Sequence, residues 1–346
     1  MNGVTPIILS PLSAVYSAVV RSRRMLYERG TLPRFHLDAP VISVGNITTG
    51  GTGKTPLVLW LARFLAESGR KVCILTRGYG RRNPNRLIVV SDGRQVTASP
   101  QEAGDEAFLL ATKLIGTAVV ISNANRKVAG DLAISKFGSD VFILDDGFQH
   151  LQLKRDLDIV TIDATNPWGN GFLLPIGRLR EPATSLSRAD CIVLTRVDQV
   201  ENYRSIAAGL AKASEGRPMF ASSMRSGGYA ALASGRFQQE APESPLAAFC
   251  GIGNASAFFR QVESETQTKL VFKRAFPDHY WYAQKDVSIL SEEARSRGAR
   301  SLITTEKDAI KLTNLEIALP CYALMIDIAI DNKNGLIDHI KRSLLT

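Results

Sequence analysis

The stretch VGNITTGGTGKTP, residues 44–56, constrains this chain more than any other. An apolar run, Pro40 to Val44, leads into it. A helical pattern follows, with Leu57, Leu61, Phe64 and Leu65 on one face. Strand, glycine-rich loop and helix in that order make the setting of a phosphate-binding P-loop. Successive backbone N–H groups can wrap phosphate oxygens there, and the helix start adds the positive end of its dipole. Gly50, Gly51 and Gly53 let the backbone approach. Lys54 would bridge the phosphates, and Thr55 would ligate Mg²⁺ through its hydroxyl. Pro56 falls in the first helical turn, where a missing N–H costs nothing. The candidate nucleotide-binding residues are Thr48, Thr49, Gly50, Gly51, Thr52, Gly53, Lys54 and Thr55. The usual pattern has glycine where Thr48 stands, so the loop is a variant with an intact GGTGKT end.

A strand that feeds such a loop belongs to a parallel sheet covered by helices, and the rest of the chain agrees. Short Val/Ile-rich runs read as strands at 71–75, 87–90, 118–122, 141–144, 159–162 and 191–194. Helical patterns lie at 102–114 and 128–137. Residues 225–235, with Gly227-Gly228, read as a connection. A smaller α/β half follows, with strands at 246–250, 301–304 and 322–328 and helices through 262, over 287–297 and over 335–345. The expected organisation is a helix over 1–24, a P-loop domain over 25–222, and a smaller α/β domain over 223–346 that closes over the cleft.

In Val141-Phe142-Ile143-Leu144-Asp145-Asp146 a buried strand delivers two carboxylates, which suits a metal beside the P-loop. Lys and Arg number 42 against 33 Asp and Glu, a net charge of +9. That excess favours an anionic partner or is simply a basic surface. No binding motif or interleaved basic-aromatic face points to nucleic acid. Cys73, Cys191, Cys250 and Cys321 sit in separate apolar runs with no CxxC spacing, so buried thiols are expected rather than a zinc site. From Val4 to Val20 the chain carries no charge, and Arg21, Arg23 and Arg24 follow. Ser10-Pro11 reads as an N-cap and first helical position, with Leu12, Val15, Tyr16 and Val19 on one face. The segment is too short and proline-interrupted to span a bilayer. It suits a helix lying in a membrane interface with arginines at the headgroups, or an ordinary packed helix.

GNITTGGTGKTP, RGYGR (77–81), GDE (104–106), DDGFQH (145–150), PIGRLREP (175–182) and FPDHY (276–280) occur in that order. Together they resemble the tetraacyldisaccharide 4′-kinases, the lipid A 4′-kinases of Gram-negative bacteria, from the N-terminal segment to TTEKD (304–308). In that family a non-glycine residue at the position of Thr48 is usual. The resemblance implies ATP- and Mg²⁺-dependent phosphorylation of the 4′-hydroxyl of tetraacyldisaccharide 1-phosphate, giving lipid IVA. It places the chain peripherally on the cytoplasmic face of the bacterial inner membrane, against an anionic leaflet. Neither nucleic acid nor an obligate protein partner is expected.

The resemblance also assigns roles. Asp105 matches the family's base, and His279 the residue that pairs with it, 174 positions away in the other half. Taken alone, Asp105 would be a carboxylate at a helix start and His279 a ring in an aromatic cluster. Glu106, Asp145 and Asp146 are candidates for the metal shell, with the inner ligand left open. Arg77, Arg178 and Arg180 would neutralise transition-state charge or hold the 1-phosphate. Tyr79 would contact the sugar, and His150 would orient a metal ligand or contact substrate. Thr304 to Asp308 would line the nucleotide side of the cleft.

Two rival readings remain. TRVD (195–198) resembles the [NT]KxD element with which P-loop GTPases read guanine, so a GTPase-type switch or metallochaperone is one. Arginine in place of lysine weakens it. A soluble small-molecule kinase is the other.

Overall fold

The computed structural model describes residues 4–81, 83 and 85–344. Leu345, the expected last residue of the closing helix, lies outside them, as do the ends of the 1–24 and 223–346 segments.

Strands β1 (Val41–Gly45), β2 (Val72–Thr76), β3 (Ile88–Ser91), β4 (Ala118–Ser122), β5 (Val141–Asp145), β6 (Leu157–Asp163) and β7 (Cys191–Thr195) form the first lobe. Their spatial order is β7-β6-β1-β5-β2-β4-β3, all parallel except the edge strand β3. The chain continues through β8 (Met219–Ala231), β9 (Phe237–Gln238), β10 (Leu246–Cys250), β11 (Phe272–Ala275), β12 (Ser301–Thr305) and β13 (Cys321–Ile330). One mixed, mostly parallel sheet results, because β8 pairs with β7 at its start and antiparallel with β13 along most of its length.

Alternate residues of the first-lobe strands feed two apolar layers. Ile42, Ile74 and Ile143 pack on the P-loop helix Lys54–Glu67 through Leu57, Leu61 and Leu65. Val41, Cys73 and Phe142 pack on the helix Arg126–Phe137. Both faces are therefore dry, and these strands read as continuous apolar runs. All four cysteines are buried and unbridged within strands.

Four sequence expectations change. The helix expected over 102–114 is two, Pro100–Ala103 and Asp105–Lys113, broken at Gly104 with φ 88°. The stretch 225–235 is mostly strand: Gly228, at φ 107°, sits in β8 beside a bulge, so its glycines permit a kink rather than end the strand. The closing helix, Lys333–Leu344, does not stay with the second lobe. Its Leu336 and Ile340 complete the first-lobe core. The first helix runs Val4–Glu28 with Pro11 inside it, so Pro11 is not its first position.

That first helix has two unlike faces. Ser13 donates to the Leu173 carbonyl (3.1 Å) and Tyr16 to the Arg180 carbonyl (3.0 Å), while Tyr27 is buried. Leu12, Val15 and Val19 are exposed, Val15 to 61%. Tyr16 thus leaves the apolar stripe expected for it and docks the helix. Among the described residues no helix is long and apolar enough to cross a membrane.

Candidate active site

β1 lies between β5 and β6, and its carboxyl end delivers the glycine loop. Gly53 precedes the helix Lys54–Glu67 at φ 80°, and no side chain caps that helix start. Its first N–H groups are therefore open to a phosphate. Thr49 to Thr55 border a cleft of about 980 Å³. Thr52 contributes backbone only, because its hydroxyl turns inward, 3.0 Å from Asn46 Nδ2 and 2.8 Å from Thr161 Oγ1. Thr48 is buried and bridges to Leu179, outside this cleft.

Carboxylates crowd the loop. Asp146, at φ 54°, pairs with Lys54 Nζ (3.2 Å) and Arg180 Nη1 (2.7 Å). Burial opposes its charge, but Lys54 and Arg180 hold its carboxyl well below the usual range. Asp145 closes β5 and accepts from the Thr76 hydroxyl (3.2 Å). Burial first, then the Glu106 and Asp146 charges, push it up to about 7. Burial likewise opposes the Glu106 charge, and Lys307 and Lys54 outweigh it. Such mutual repulsion favours an added cation. Asp145, Asp146 and the Thr55 hydroxyl are hard oxygen donors of the kind Mg²⁺ takes. Among the described residues no cluster of three His, Cys, Asp or Glu forms a closed metal cage.

Gly104 breaks the helix so that Asp105 opens a new one. A Cβ at Gly104 would lie 2.6 Å from the Tyr79 carbonyl, so the RGYG loop rests on the break. Across the cleft His279 stands at φ 60°, its Nδ1 3.0 and 2.9 Å from the two oxygens of Asp105. A left-handed histidine is strained and needs surrounding structure to hold it. Its N–H donates to the Gly251 carbonyl, and the Tyr79 ring lies 5.0 Å from the imidazole. Asp105 is 5% exposed. Burial opposes its charge, but the His279 hydrogen bond and the Lys307 and Lys311 charges bring it down to about 2. The same pair raises His279 against the effect of burial.

A basic wall completes the cleft. Arg77, Arg126 and His150 border it, with Arg23 and Arg24 of the first helix. Burial and then Arg126, Arg155, Arg23 and Arg77 lower His150 to about 3, so its ring is neutral. Arg178 is not brought in. It is exposed, and its Nη2 donates to the Gly253 carbonyl (3.3 Å) behind the phosphate loop. Gly253 itself crosses Gly50, where a Cβ would come within 2.4 Å of the Gly50 Cα. TRVD does not read a base either. Arg196 donates to the Gly51 carbonyl (2.9 Å) and to Asp163 (2.6 Å), and exposed Asp198 does not border the cleft.

Arg126 escaped sequence reasoning, and Lys307 was expected at the cleft only as part of TTEKD, without a role of its own. Arg126 opens the helix Arg126–Phe137, where a cation opposes the helix dipole, and that misplaced charge was the available signal; Lys307 lies in the single turn Glu306–Ala309. Arg126 is buried against the cleft. Lys307, from TTEKD, pairs across the cleft with Glu106.

Fold and site together define a P-loop nucleotide-dependent phosphotransferase with a carboxylate–imidazole pair facing the phosphate loop. The chain also matches the family model described as tetraacyldisaccharide-1-P 4′-kinase over residues 5–345, and it belongs to that family. The tetraacyldisaccharide 4′-kinase of Geobacter sulfurreducens is 43% identical over 327 residues, covering 92% of this chain and 88% of that one. That of Desulfatibacillum aliphaticivorans is 36% identical over 357 residues, covering 99% and 94%. The crystal structure of LpxK from Aquifex aeolicus in complex with ATP superposes with a TM-score of 0.75 at 32% identity, covering 98% and 99% of the two chains. The GTPase reading is not favoured.

Proposed function

We propose that this chain transfers the γ-phosphoryl group of ATP to the 4′-hydroxyl of tetraacyldisaccharide 1-phosphate at a membrane surface. The observation that carries the reading is the Asp105–His279 pair, whose His279 borders the same cleft as the P-loop. The loop amides and Lys54 would hold the triphosphate. Thr55, with Asp145 or Asp146, would hold Mg²⁺, which neutralises phosphate charge.

We read the pair with the roles exchanged from those first expected, Asp105 as base and His279 as its partner. Asp105 is enclosed, with both oxygens on Nδ1 and one also accepting from the Glu106 N–H (2.9 Å). It cannot reach a hydroxyl. His279 Nε2 is left to take the proton, while Asp105 fixes the tautomer and stabilises the imidazolium that forms. Arg180 and Lys307 are placed to offset charge on the transferring group. Arg77, Arg126 and neutral His150 form a pocket for the acceptor's phosphate, with Tyr79 beside the sugar. Arg178 clasps the second lobe instead of touching substrate. The division at 24 and 222 is kept as a functional one, with the lobes closing about β8 and β13.

The cleft opens beside Val19, Arg23 and Arg24, next to the exposed apolar stripe of the first helix. An amphiphile could leave its acyl chains in the bilayer there and present its sugar to the cleft. An anionic leaflet on the cytoplasmic face of the inner membrane suits those arginines. The test is transfer of labelled γ-phosphate from Mg-ATP to tetraacyldisaccharide 1-phosphate in mixed detergent micelles, with Lys54→Ala as blank. Labelled lipid IVA is expected. Unlabelled lipid with GTP hydrolysis would overturn the reading.

A further inference from the structure

One buried charge near the reacting pair has no part in that scheme. Lys311 lies in the 3₁₀ turn Ile310–Leu312, and its side chain has no solvent exposure. It does not border the cleft. An ammonium so placed is costly unless anions hold it. Two lie within ion-pair distance: its Nζ is 3.0 Å from Asp308 Oδ1 and 3.6 Å from Asp105 Oδ2, charge contacts without hydrogen-bond geometry, with the Tyr282 ring 5.8 Å away. Asp308 is fully buried and leads back to the histidine. Its Oδ2 accepts from the Gly251 N–H (3.0 Å), and the Gly251 carbonyl accepts from the His279 N–H (3.1 Å). The contacts form a closed ring: Asp105, Lys311, Asp308, Gly251, His279 and again Asp105. Asp105 comes from the first lobe and the other members from the second.

We propose that Lys311 is a positioning residue for the phosphoryl transfer. It ties the Asp105 carboxylate to the backbone that carries His279, so that the imidazole is offered in one orientation and one tautomer. The proposal rests on the reading of His279 as proton acceptor. A lysine that merely neutralised Asp308 would not need to reach Asp105 as well.

The test uses the full chain in mixed micelles, with ATP affinity and thermal melting measured alongside. Lys311→Met alone leaves Asp308 unpaired, so Lys311→Met/Asp308→Asn is made too; its amide oxygen can still accept from Gly251. In whichever variant folds, kcat should fall about 100-fold, the scale of a misplaced catalytic group. The KM for ATP and the ATP affinity should stay within about twofold. The ring-nitrogen NMR signals of His279, assigned by His279→Gln among four histidines, should change from one Nδ1–H tautomer to a mixture. A folded variant with parental kcat overturns the proposal. So does loss of kcat with an unchanged ring, or in step with ATP affinity. If neither variant folds, Lys311 serves stability and the proposal falls. Retention of transfer in His279→Ala would instead sink the proton-acceptor reading beneath it.

Discussion

The two ends of the cleft are built in opposite ways. The phosphate loop is one run, Thr49 to Thr55, emerging from β1, with Thr195 and Arg196 of its own lobe bonded to its carbonyls and Gly253 of the other lobe against Gly50. The end proposed to accept the proton joins residues 174 positions apart, from a helix start in one lobe and a loop in the other. A contiguous site forms wherever its strand–loop–helix unit forms. A split site exists only while two lobes hold each other, and its strength depends on what braces them. Phosphate binding and proton transfer should therefore respond differently to substitutions.

The largest separation is expected from Lys54→Ala. It should lower transfer about 1000-fold, the scale of losing a transition-state charge partner, and weaken ATP binding too. Undiminished turnover would break the comparison at its better-defined end. His279→Ala should lower kcat about 100-fold, the scale of a lost general base, while ATP affinity holds. A rise in ATP KM with kcat intact would merge the two ends.

The pH profile sharpens this. His279 is raised above its ordinary 6.5: burial opposes the shift, and the Asp105 bond and charge outweigh it. The acceptor must be neutral, so transfer should fall as pH drops through a value above 6.5 and level off at higher pH. Asp105→Asn should move that limb to lower pH and reduce the plateau. A limb that stays in place would detach Asp105 from the ring.

Gly253→Ala tests the contact between the ends. Its Cβ would meet Gly50 at 2.4 Å, so the lobes must part, and a loss of about tenfold in kcat is expected. The smallest effect belongs to Val15→Asp with Val19→Asp. It should halve, roughly, the protein bound to anionic vesicles by weakening apolar burial, leaving ATP affinity untouched. Unchanged vesicle binding would remove the first helix from the membrane reading.

The same contrast governs how much could be read beforehand. The strands of the first lobe were legible because burial on both faces makes them continuous apolar runs, as at Val141 to Leu144. The P-loop and its acidic strand were legible because their residues adjoin in sequence. Gly104 was not, since an isolated glycine in a helical pattern is ordinarily tolerated. Gly227-Gly228 resembled a connection because a bulge uses the same residues as a turn. Asp105 and His279 carried no local sign of each other and came forward only through family resemblance. Even then the roles proposed for them rest on geometry, the enclosure of the Asp105 carboxylate. Arg178 was drawn in by its place in PIGRLREP, yet alternation along that segment turns Arg180 to the cleft and Arg178 away.

The return of the Lys333–Leu344 helix to the first-lobe core bears on how the molecule is made. In chain order the whole second lobe is spliced between β8 and that helix. A ribosome therefore releases the P-loop early and Leu336 and Ile340 only after the whole second lobe. Until then the first-lobe core lacks two of its buried members, although its strands are already paired. Domains usually finish in the order of synthesis. Here the first lobe is sealed by a helix made after the second, and a chain cut short after β13 would leave that core incomplete.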